Sequence, residues 1–95
     1  MIKVLWLPEA VADVERLHAF LLEMNADAAA RAASLILDGS KLLSTMPGIG
    51  KPMGDHSKRR ELFMSFGAGA YVIRYREQAD TVIIFRVWHS REDRR

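Results

Sequence analysis

The sequence predicts an α+β fold that starts with a strand, continues as a helical hairpin and closes with three further strands. Three observations carry this expectation. Apolar side chains recur at helical spacing through residues 8–45. The stretch "MPGIGKPMG" (46–54) then breaks the pattern with two prolines and three glycines. Beyond it, three β-branched and aromatic runs are separated by gaps short enough for hairpin turns.

Each element has its own signal. "IKVLWL" (2–7) reads as a short, largely buried strand. Pro8 and Glu9 suit the first turn of a helix, where a missing N–H costs nothing and an acid meets the positive end of the dipole. Val11, Val14, Leu17, Leu21 and Met24 form its apolar stripe. Asn25 or Asp27 caps a second, alanine-rich helix. Ala29, Ala32, Ile36 and Leu43 mark its inward face, and its alanines let it lie close to the first helix.

The strand runs are "RELFMSF" (60–66), "AYVIRYR" (70–76) and "TVIIFRVW" (81–88), joined by "GAG" and "EQAD". Strand alternation puts Tyr71, Ile73 and Tyr75 on one face, with Val72, Arg74 and Arg76 on the other. In the last run Ile83, Phe85 and Val87 share a face, with His89 next in the series; Val82, Ile84, Arg86 and Trp88 share the opposite one. Arg86 and His89 therefore diverge unless a bulge or strand end lies near Trp88.

Ninety-five residues with ordinary globular composition fit a single domain, 1–95. No cysteine is present, so neither a disulfide framework nor thiol chemistry is available. The start, "MIKVLWLPEA", is too short an apolar run for a signal peptide, and no segment suits a membrane span. These features lead us to expect a cytoplasmic protein. Charge is uneven. Residues 1–47 carry four cations against six acids, and residues 48–95 carry ten against six. A basic half points toward an anionic partner or simply toward solubility. "GIGKP" is no phosphate loop, since its glycine spacing is wrong and no Ser or Thr follows Lys51. No HExxH or close His/acid spacing suggests a metal, and no GxSxG elbow accompanies Ser90; no cofactor is expected.

"GIGKP", "RELFMSFGAGAYVIRYR" and "VIIFRVWHSRED", in this order after two helices, give the chain a resemblance to the RelE/ParE superfamily of bacterial type II toxins. The resemblance covers essentially the whole length. It implies a mainly antiparallel sheet packed on the helical hairpin. It also implies neutralisation by a cognate antitoxin in a toxin–antitoxin hetero-oligomer, and one of two targets. RelE-type members cleave messenger RNA on the ribosome, whereas ParE-type members inhibit DNA gyrase.

Metal-free RNA cleavage needs a base for the ribose 2′-hydroxyl, cations around the phosphate and an acid for the leaving oxygen. His89 is the one histidine of three that sits among arginines at a strand end. Arg60, Arg74, Arg86 and Arg91 are candidates for the cationic cradle. Glu61 is a second candidate base or a cross-sheet partner for an arginine. Trp88 and Tyr71 are candidate platforms for an unpaired base, and Lys58 and Arg59 candidate phosphate contacts. Against these stand plainer roles: core aromatics, a solvated strand end, and a terminus where Glu92 and Asp93 pair with Arg91, Arg94 and Arg95. The Arg/His/aromatic set is chemically sufficient for phosphate-directed cleavage, which makes a messenger RNA nuclease the first expectation. A ParE-like gyrase inhibitor without nuclease activity is the alternative. "RVxH" is common to both branches; Met53 stands where one nuclease subgroup carries a glutamate, and Ser90 where an aromatic often follows the terminal histidine.

Overall fold

The computed structural model describes residues 2–92. Strand β1 (Lys3–Trp6) leads into helices α1 (Pro8–Leu22) and α2 (Ala26–Thr45). A two-residue strand β2 (Lys51–Pro52) precedes β3 (Arg60–Phe66), β4 (Gly69–Gln78) and β5 (Thr81–His89). Asp93, Arg94 and Arg95 lie outside the described residues.

The five strands form one sheet in the order β1-β5-β4-β3-β2. β1 runs parallel to β5, because the helical hairpin carries the chain across the sheet, and the other pairings are antiparallel. The helices cover one face. Helix α1 opens with Pro8 at its first position, and Asn25 caps α2 by accepting from the Ala28 N–H at 3.0 Å. Ala29, Ala32, Ile36 and Leu43 are all buried, as the α2 pattern predicts. Gly39 lets α2 approach β3 closely, since a Cβ there would collide with the Met64 sulfur.

Tyr71, Ile73 and Tyr75 are buried together on the helix-facing side of β4. Three expectations need correction. β1 alternates between exposed and half-buried, because as an edge strand it presents Lys3 and Leu5 to solvent. In α1 the buried residues are Ala10, Asp13 and Leu17, whereas Val11 is exposed, as is Met24 beyond the helix end. The largest correction is in β5. Arg74 faces Arg86 and Tyr75 faces Ile84, so Phe85 is an extra residue that bulges out of the ladder. Val82 and Ile84 therefore point into the core, and after the bulge Val87 does so too. Phe85 does not share their face. The bulge sits three residues before the Trp88 region where the sequence suggested one.

Candidate functional site

The bulge decides which chemistry-bearing side chains meet. Past Ile84, whose carbonyl accepts from the Leu7 N–H, β5 has no β1 neighbour. Helix α1 supplies one instead. Asp13, only 2% exposed, accepts from the Val87 backbone N–H at 2.9 Å. It also accepts from Arg86 Nε at 2.8 Å and Nη2 at 3.0 Å, and from Arg16 Nη1 at 2.6 Å. Burial alone pushes the Asp13 carboxyl up, but the bonds from Arg86, Arg16 and Val87 more than reverse this and hold it at about 2. Arg86, a candidate target contact by sequence, is thus committed to a structural ion pair.

Arg16 extends the network to the turn after β5, donating from Nε to Glu92 at 2.9 Å. Glu92 in turn accepts from the His89 backbone N–H at 3.2 Å. This fixes the turn carrying His89 and Arg91. The His89 Nε2 lies 3.0 Å from the Phe66 carbonyl oxygen, which can only accept, so Nε2 carries the proton. The Arg91 N–H donates to Nδ1 at 3.3 Å. Both ring nitrogens are therefore engaged by backbone groups. Tyr71 packs edge-on against the ring, with centroids 4.9 Å apart, and burial pushes its phenol up. At 2% exposure Tyr71 is a core residue and cannot serve as a stacking platform.

Beside His89 lies an apolar cleft of about 590 Å³, walled by Leu17, Phe20, Leu21, Phe66 and Tyr71 and rimmed by Arg16, Arg91 and Glu92. Phe20, at 63% exposure, was not singled out by sequence pattern. Its signal was available: it lies three residues beyond buried Leu17, yet off the predicted stripe.

The remaining candidates are elsewhere. Glu61, Arg74 and Trp88 share the sheet face away from the helices. Arg74 donates to one Glu61 oxygen from Nε at 3.0 Å and Nη2 at 2.8 Å, and its guanidinium lies 4.8 Å from the Trp88 ring centroid. Arg60 donates from Nη1 to the Gly50 carbonyl at 2.8 Å and the Gly48 carbonyl at 3.2 Å, anchoring the glycine loop. Arg59 lies over the Phe85 ring at 4.2 Å, and Lys58 is exposed in the loop before β3. Of the proposed cradle, only Arg91 stays with His89. Among the described residues no group of three or more His, Asp or Glu is placed to hold a metal, and no helix is long and apolar enough to cross a membrane.

A five-stranded mixed sheet with a helical hairpin on one face is the architecture of a solved chain from the chromosomal ParDE toxin–antitoxin system of P. aeruginosa. The two superpose with a TM-score of 0.74 over 94% of this chain and 96% of that one, at 20% identity, a likeness of fold alone. Residues 4–94 match the family described as ParE toxin of type II toxin–antitoxin system, parDE, and the chain belongs to that family. Two relatives from Caulobacter vibrioides carry the other branch name. Toxin RelE3 is 39% identical over 87 residues, covering 92% of each chain, and Toxin RelE1 is 38% identical over 82 residues, covering 86% of each. The chain is a RelE/ParE superfamily toxin.

Proposed function

We propose that this toxin arrests growth by binding and inhibiting DNA gyrase, without cutting RNA, and that a cognate antitoxin neutralises it. The observation that carries this reading is the state of His89. Its one basic lone pair, on Nδ1, accepts from the Arg91 N–H, and its Nε2 proton is held by the Phe66 carbonyl. A ribose hydroxyl would have to displace a backbone contact to reach a base there. Glu61, the other candidate base, is ion-paired to Arg74 on the opposite sheet face, so the two groups cannot flank one phosphate. The apolar cleft next to His89 suits a protein segment better than a polyanion. The reading reverses the order of the two targets expected from residue types alone.

Induction in cells tests it. Within minutes DNA synthesis should fall and gyrase-linked breaks accumulate, while primer extension finds translated messages intact. Messages cut in the ribosomal decoding site, with DNA unbroken, would instead support a ribosome-dependent nuclease. Co-expression of the antitoxin should restore growth in either case.

A further inference from the structure

A different corner of the molecule has no part in this reading. Residues 51–60, "KPMGDHSKRR", hold four Lys or Arg against one acid, with His56 between. The loop is built in a strained shape: His56 and Lys58 both have positive φ, 68° and 64°, which side chains other than glycine rarely adopt. Its own polar groups hold it there. Asp55 accepts from the Ser57 N–H at 3.1 Å, Ser57 Oγ accepts from the Arg59 N–H at 3.1 Å, and the Met53 N–H donates to the Arg59 carbonyl at 3.0 Å. A cleft of about 410 Å³ opens here, lined by Pro52, His56, Lys58, Arg59, Arg60 and Glu77.

The cations of this corner differ from those of the core network. Among the described residues, Arg16, Arg74 and Arg86 are taken up by ion pairs, and none of those pairs includes Lys51, Lys58 or Arg59. The nearby acids are Asp55, which feels the Arg59 charge, and Glu77, two against these three cations. Residues 51–60 contain no exposed large apolar side chain of the kind that centres a protein interface. The neighbouring aromatic, Phe85, is covered by Arg59, which removes a stacking platform for single strands.

We propose that Lys51, Lys58 and Arg59 form a contact site for the phosphate backbone of duplex DNA, held ready by the strained loop. Arg60 is excluded from the count because it is tied to the Gly48 and Gly50 carbonyls. Three phosphate contacts give a slope of log affinity against log salt of about −2.7, so binding weakens roughly 40-fold between about 50 and 200 mM salt.

The test is fluorescence anisotropy of the purified full chain with a labelled duplex of about 20 base pairs across that salt range. The combined variant Lys51→Gln/Lys58→Gln/Arg59→Gln should flatten the slope toward zero and keep a cooperative melt. The control Lys3→Gln/Arg31→Gln/Lys41→Gln removes equal charge from other exposed positions and should leave the slope near that of the parent. Equal losses in both variants would reduce the effect to net charge and overturn the site. So would no duplex binding by the parent at the lowest salt, or displacement by inorganic phosphate at matched ionic strength. Tighter, variant-sensitive binding of single-stranded RNA would overturn the assignment to duplex DNA.

Discussion

Replacing Asp13 with alanine probes the link between α1 and the bulged strand. The carboxylate accepts four hydrogen bonds, from Arg16, twice from Arg86 and from the Val87 N–H. Once it is gone, the two arginines recover water, since each side chain is 44% exposed. The Val87 N–H cannot, because Val87 is fully buried. Stranding that donor costs about 1–3 kcal/mol, and the lost charge-assisted bonds add to it. We expect a destabilisation of about 2–4 kcal/mol, or a fall in melting temperature of roughly 10–25 °C for a domain of this size. Arg86→Ala should cost less, since Asp13 keeps Arg16 and the Val87 N–H. The pH dependence follows from the depressed carboxyl, at about 2 folded against 3.8 ordinarily. Its contribution is fully present above the ordinary value and fades as pH falls through that interval. Thermal melts by circular dichroism from neutral pH down to acid measure both effects. A melting point within about 3 °C of the parent at neutral pH would refute the account of this network.

Further substitutions test neighbouring claims. Ile84→Asp places a charge in the core and should abolish the cooperative melt, a cost of several kcal/mol, whereas Phe85→Asp should leave a folded domain. The reverse order would mean that the bulge is absent. Tyr75→Phe removes the hydroxyl that donates to the Pro47 carbonyl and accepts from the Gly50 N–H, each at 2.8 Å, and should cost about 1–3 kcal/mol in chemical denaturation. Gly50→Ala should also destabilise, because its Cβ would lie 2.6 Å from the Tyr75 hydroxyl. Phe20→Glu should leave the melt near that of the parent, since Phe20 is exposed, yet weaken growth arrest or antitoxin rescue if the apolar cleft receives a partner.

The order of elements was legible because each has a local cause: Pro8 opening α1, Asn25 capping α2, the glycine loop ending it, and alternation setting the Tyr71, Ile73 and Tyr75 face. The site was less legible, because two long-range facts organise it. A single extra residue at Phe85 changes the face of everything after it, and strict alternation cannot register that. Asp13 looks like a surface acid on an amphipathic helix until the unpaired edge of β5 is placed beside it. With both known, the arginines grouped by residue type separate into an ion-pair network, a loop anchor and an aromatic stack. His89 stood out by its setting among arginines, but the Phe66 carbonyl that holds its Nε2 comes from a strand end distant in sequence.

Growth arrest through gyrase, as proposed, needs no acid–base chemistry at His89. The most direct measurement is a supercoiling assay with purified DNA gyrase and relaxed plasmid, run with the parent chain and with His89→Gln. A ribosome assay on a translated message runs in parallel. The account predicts loss of supercoiling with both proteins and an uncut message. Normal supercoiling, together with a message cut by the parent and spared by His89→Gln, would contradict it and make His89 a catalytic residue of a nuclease.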